Sequence, residues 1–394
     1  MLAIPELRIV HGPDDREALE YRVDFAEFSL GVPPPEAVRG RVIGVAAGPL
    51  PNEPSGDPYG LRQLYLDEAV FIVSEDLALH LPPEAMAATL VVTDDAQQLN
   101  RRFLAPQTVS SSFGQNALGA MMYITAEVAD RLLAEGGTSL ATLEQAAQDL
   151  APGEVVVSPP GAEVELQIVA ERGSSLEEKY YNVIGYIPGQ GSEMGMDDDV
   201  IMVSASYDGL GVGPEGTLYP GANDNLSAVG VMLELARILQ EGPYAPDKTI
   251  MFVAWAGGER MEGLSVVNIM NAKVGFHRLN VEAVLELSGV GGGSGEAIAL
   301  GSGTSFRLTR LIESAASRVG VDVTTRGRDT HFGLPTRIGF GARNALTAYL
   351  SWDGSDELAH LPDDTLVNLE PQKMESVGKT LALVLTVLSR ESEY

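Results

Sequence analysis

The chain has 394 residues, 45% of them hydrophobic and 21% charged, with no cysteine and a formal net charge of −29. The charge excludes nucleic acid and anionic membrane surfaces as partners. The missing cysteines exclude disulfides and thiolate metal sites, and no apolar run reaches the ~18 residues of a membrane span. The length is that of two domains rather than one core. No charged-then-apolar leader stands at Met1, so no signal peptide is expected in this chain.

Residues 1–40 are weakly patterned, with Pro33-Pro34-Pro35 marking a stiff turn, and are set apart as an N-terminal segment. From Arg41 onward short apolar runs alternate with turns. Val42 to Val45, Val70 to Val73, Thr89 to Val92 and Ala120 to Ile124 read as strands, and Thr125 to Leu133 reads as a short helix, followed by a second one. Residues 41–160 are therefore expected to form a smaller β-rich domain. Val164, Leu166 and Ile168 alternate with Glu163, Glu165 and Gln167, the pattern of a strand with one wet face. That strand is assigned to a second domain, 161–394. The boundary is expected between Gly153 and Lys179, where Pro159-Pro160 and Gly173-Ser174-Ser175 punctuate the chain.

The second domain reads as alternating strands and helices, an α/β fold with a mostly parallel sheet and helices on both faces. Ile201 to Ser206 is a strand buried on both sides. Gly221-Ala222-Asn223-Asp224-Asn225 supplies a turn, with Asp224 as a candidate helix N-cap. Ala228, Met232, Leu235, Ala236 and Leu239 then recur at helical spacing. Thr249 to Ala256, Val281 to Leu287 and Leu346 to Leu350 read as further strands, and Phe306 to Val319 as a helix. A last helix opens at Pro371, with Met374, Val377, Leu381 and Leu385 inward. Asp224 and Glu259 fall at the strand ends where ligands gather in such sheets.

Several motifs carry a resemblance. Tyr181 to Gly189 reads as a sheet-opening strand, and PGANDN around Asp224 leads into the helix LELARIL. FVAW precedes Gly258-Glu259, and His360-Leu361-Pro362-Asp363-Asp364-Thr365 lies near the end. Together they resemble the zinc-dependent aminopeptidase superfamily, which spans leucyl aminopeptidases, glutamate carboxypeptidase II, the glutaminyl cyclases and the non-enzymatic transferrin receptor. The segment ending in ITAEVADRLL is similar to the close of the protease-associated domain that often accompanies these peptidases, a module that frames a substrate cleft or binds partners.

The resemblance implies a two-zinc site with five protein ligands and a general base. Carried over, the bridging carboxylate is Asp224, the carboxylate of the second metal is Glu259, and the C-terminal imidazole is His360. The strand-end His position reads Ser206, with its companion Asp208 kept; the general-base position reads Gly258; the later Asp position reads Ser288. The first metal thus keeps only Asp224, whereas the second keeps Asp224, Glu259 and His360. Glu262 and Glu286 are the nearest substitutes for the base; strand alternation is taken to direct Glu286 away from Ser288. His11, His80, His277 and His331 have no motif context.

The reading is an aminopeptidase-like protein with a degraded two-metal site, holding at most one zinc ion on Asp224, Glu259 and His360, and with no catalytic residue assigned. It acts as a binding or structural module for a peptide or protein partner. The alternative is a one-zinc hydrolase or acyl transferase acting on peptides. An extracellular or cell-surface setting is what the resemblance implies.

Overall fold

The computed structural model describes residues 4–27, 36–51, 58–61, 69–78, 80, 88–95, 97–101, 120–168, 181–190, 199–213, 215–256, 280–301, 304–325 and 345–390. The chain divides into two compact units, Met1–Ser175 with Gly213–Thr217, and Leu176–Val212 with Leu218–Tyr394.

The first unit is built on one sheet. Its strands are β1 (Glu6–Val10), β2 (Arg16–Ala18), β3 (Phe25–Glu27), β4 (Val38–Ala47), β5 (Ala69–Ser74), β6 (Ala88–Thr93), β7 (Ala120–Thr125), β8 (Val155–Val157) and β9 (Glu163–Gln167). The order is β2-β1-β9-β4-β5-β6-β7-β3, with β8 paired to β4. β4 to β7 are mutually parallel, and antiparallel strands flank them. Two helices, α2 (Ala126–Ala134) and α3 (Leu140–Ala147), follow a single turn, α1 (Glu75–Ala78). Thr125 and Ser139 cap them, each hydroxyl accepting from an amide three residues on. Val128, Leu132, Leu133 and Leu143 pack on Val42, Ile72, Leu90 and Leu166 on one sheet face; Phe71, Val73, Val91 and Tyr123 form a second cluster on the other.

Two domain expectations change here. Residues 1–40 are not a separate segment, because β1 pairs with β9 along its full length and β3 pairs with β7. The strand at 163–167 belongs to this first unit rather than the second. Its inner side chains, Val164 and Leu166, are fully buried in the first core, and it bridges β1 and β4. The unit division after Ser175 nevertheless falls inside the window from Gly153 to Lys179.

The second unit carries β10 (Val183–Ile187), β11 (Asp199–Ser206), β12 (Gly211–Val212), β13 (Leu218–Tyr219), β14 (Thr249–Trp255), β15 (Asn280–Leu287), β16 (Ala297–Leu300), β17 (Asp322–Thr325) and β18 (Leu346–Trp352). Apart from the small β12–β13 hairpin, they form one sheet in the order β10-β14-β11-β15-β18-β16-β17. β14, β11, β15 and β18 run parallel, as does the β16–β17 pair; β10 and β16 run against their neighbours β14 and β18.

Among the described residues three helices pack on this sheet: α4 (Ala228–Glu241), α5 (Phe306–Val319) and α6 (Pro371–Leu388). All three join one cluster with Ile201, Val203, Ala205, Leu285 and Leu350. The opposite face, with Val200, Met202, Met251, Val253, Trp255 and Val284, is buried as well. Burial on both faces is why these strands read as continuous apolar runs. Ser305 caps α5 and Gly320 ends it in the left-handed region, while Pro371 opens α6. No helix of the described residues is long and apolar enough to cross a membrane.

Candidate metal centre

The site lies in the second unit, past the C-terminal ends of its central parallel strands. β11 ends at Ser206 and β15 ends just before Ser288. Between them in sequence, residues Ala222–Ser227 form a wide π-helical turn rather than the first turn of an α-helix, and α4 begins only at Ala228. Asp224 sits inside that turn with a non-helical backbone (φ −109°, ψ 83°), and its peptide to Asn225 is cis. The expectation of Asp224 as an N-cap is corrected: its side chain faces the site, four residues before the helix starts.

The turn is held from all sides by its asparagines. Asn223 Oδ1 accepts from the Gly291 amide at 2.8 Å, while its Nδ2 donates to Gly292 O and Ser355 O. Asn225 Nδ2 donates to Leu287 O at 3.2 Å and its Oδ1 accepts from the Gly289 amide at 3.1 Å. Ser227 Oγ donates to Asn223 O and accepts from the Val290 amide. These bonds tie the turn to the loop after β15. Gly221 (φ +64°) enters the turn where a Cβ would meet Asp224 O at 2.7 Å, so glycine is required there.

Asp224 is 7% exposed. Ser288 Oγ donates to its Oδ1 at 3.4 Å, and its Oδ2 lies 3.5 Å from Nε2 of His360. His360 adopts φ +62°, a left-handed conformation that non-glycine residues hold at a cost of about 1–3 kcal/mol, and which gathers at functional sites. Leu210, Tyr219, Gly221 and Leu361 complete a small recess around the pair.

The fit of a metal ion rests on that separation. It exceeds the usual N···O hydrogen-bond range of about 2.7–3.2 Å. Two ligand atoms each about 2.0–2.1 Å from a tetrahedral zinc lie about 3.3–3.4 Å apart, which the pair nearly matches. A carboxylate and an imidazole are also the donor types zinc takes. Asp224 and His360 thus fit as two ligands of one ion. Ser206 and Ser288 offer neutral hydroxyls, which do not fit as ligands of a second.

Of the sequence candidates, Asp224 and His360 are brought together. Glu259, Gly258, Glu262, His277 and His331 lie outside the described residues. Glu286 lies on the face of Val284, against Leu285 and Leu287 on the other. Positions two apart on a strand share a face, so alternation does not direct Glu286 away from Ser288, and that expectation is corrected. His11 meets Glu17 at 3.3 Å, and His80 stands edge-on to Tyr59. Both belong to the first unit. Sequence reasoning missed Asn223, Asn225 and Asp364 as parts of the site, although each stands inside a quoted motif.

Known proteins agree with this architecture. The solved aminopeptidase from Aneurinibacillus sp. strain AM-1 superposes with a TM-score of 0.59 at 17% identity, covering 99% of this chain and 81% of that one. BSAP, a zinc aminopeptidase from Bacillus subtilis, gives 0.57 at 16% identity, covering 100% and 85%. The fold is therefore the mixed α/β fold of the zinc aminopeptidases. A model of Peptidase family M28 matches residues 182–385, and the chain belongs to that family. Aminopeptidase YwaD of Bacillus subtilis (strain 168) is 24% identical over 209 residues, 50% of this chain and 42% of that protein. The match thus spans less than half the length of that curated relative.

Proposed function

We propose that this M28 protein carries a degraded two-metal site, holds at most one zinc ion on Asp224, Glu259 and His360, and serves as a non-catalytic module that binds a peptide or protein. The observation that carries the reading is the Ser288 hydroxyl donating to Asp224 Oδ1. The family resemblance implies a metal-ligating carboxylate at position 288. A hydroxyl there reaches Asp224 Oδ1 only as a long contact of 3.4 Å and brings no charge to a second cation. The resemblance likewise implies an imidazole where Ser206 stands and the general base where Gly258, which has no side chain, stands.

Asp224, Glu259 and His360 would hold the zinc ion, which when bound would supply Lewis acidity toward a carbonyl oxygen. Asp224 and His360 would position that ion, and the Ser288 hydroxyl stands 3.4 Å from one oxygen of Asp224. With Gly258 in the base position, proton removal from an attacking water loses its acceptor, a deficit on the order of 10²–10⁴ in rate. The first unit, similar to a protease-associated domain at its ITAEVADRLL segment, is assigned the partner-binding role under this proposal. An extracellular or cell-surface setting belongs to the same proposal.

The test is turnover of aminoacyl anilide substrates by the zinc-loaded protein. The expected result is none above background. The second reading, a one-zinc hydrolase or acyl transferase on peptides, is favoured by the retained Asp224–His360 spacing. Zinc-dependent turnover abolished by Glu259→Ala establishes that reading and removes the first.

A further inference from the structure

The geometry points to Asp364 as the positioning residue of the Asp224–His360 pair, a role that rests on the proposal that this pair holds a metal ion. Asp364 is 1% exposed and lies in the same loop as His360. Three consecutive amides of the Asp224 turn donate to it. The Ala222 amide reaches its backbone carbonyl at 3.1 Å, the Asn223 amide reaches Oδ1 at 2.7 Å, and the Asp224 amide reaches Oδ2 at 2.9 Å. The Asp364 amide itself donates to Leu361 O at 3.2 Å, closing the loop that presents His360.

One residue therefore joins the segment bearing the imidazole to the segment bearing the carboxylate. Residues 224 and 360 meet only through tertiary structure, so their separation is set by whatever joins their two backbones. Asp364 does this with a fork of two acceptor oxygens that matches two adjacent N–H donors. An asparagine would turn its NH₂ toward one of them. A leucine or alanine would leave two buried amides without acceptors. Asp363, its neighbour, is exposed, and its backbone carbonyl accepts from Thr365 N and Asn368 Nδ2.

The test compares Asp364→Ala, Asp364→Asn and Asp363→Ala in the full chain, by calorimetric zinc titration and by ¹⁵N–¹H spectra of the His360 imidazole in zinc-free protein, assigned with His360→Gln. Asp363→Ala is expected to match the parent. Asp364→Ala is expected to bind zinc about 10–100-fold more weakly, as outer-sphere changes do, and to shift the His360 resonances; Asp364→Asn is expected to fall between. A variant that loses thermal stability but keeps both zinc affinity and resonances overturns the proposal, since a merely structural aspartate would behave so. Should Asp364→Ala not fold, Asp364→Asn alone decides by the same two readouts. Should the parent bind no zinc, the metal reading falls. The positioning role then stands if the zinc-free imidazole resonances move, and is overturned if they do not.

Discussion

Asp224 Oδ2 lies 3.5 Å from His360 Nε2, although one residue belongs to the turn before α4 and the other to the loop before α6. The two elements meet because α4 and α6 pack on the same sheet face. Asp224→Ala and His360→Ala should each weaken zinc binding by more than the about 10–100-fold of outer-sphere changes, since each removes a ligand itself. Calorimetric titration measures it. An unchanged affinity in either variant removes that residue from the ligand set.

Asn225 is buried and spends its side chain on Leu287 O and the Gly289 amide. Asn225→Ala leaves a buried carbonyl and a buried amide without partners, so a loss of about 1–3 kcal/mol is expected. Urea denaturation of the parent and variant gives the difference. A change within about 0.5 kcal/mol would mean water replaces both bonds without penalty.

Two arginines of the first unit should differ sharply. Arg22 meets Glu27 at 2.7 Å, and burial pushes the Glu27 carboxyl up despite the nearby guanidinium. Arg22→Ala removes the cation from that buried carboxyl, leaving it the Tyr21 hydroxyl at 2.6 Å, and should cost about 3–5 kcal/mol. Arg39 meets Glu163 at 2.8 Å on the surface, where solvent screens the pair, so Arg39→Ala should cost far less. The Arg39 bond holds the Glu163 carboxyl below its ordinary value of 4.5. Its small contribution is therefore present above pH 4.5 and is lost as pH falls through the lowered value. Equal costs for the two substitutions at pH 7 would contradict the burial argument.

Brief protease treatment should cut at the division after Ser175 and release a fragment containing the M28 match, 182–385. Mass spectrometry of the fragments reads the site. Cuts confined to the chain ends would argue for one cooperative body.

Much of the second unit was legible because its strands are buried on both faces and its helices carry a single apolar stripe. Ile201 to Ser206, Thr249 to Ala256 and Phe306 to Val319 all fall within two residues of the observed elements. The pairings of β1 and β9 were not legible. Both are short, and what places them is pairing between distant parts of the chain, β9 against β4 and β1 against β9. At the site, Asp224 and His360 stood in recognisable motifs. The π-helical geometry of the Asp224 motif was not legible, because its hydrogen bonds run to Gly289, Gly291 and Asp364, which local periodicity does not encode.

The most direct test of the central claim is the zinc content of the purified protein, equilibrated with excess zinc, freed of unbound metal and analysed by elemental mass spectrometry. The account predicts no more than one zinc per chain, because Ser206 and Ser288 provide no charged or imidazole donor for a second. Two zinc ions per chain, retained when Ser206 is changed to Ala, would contradict it.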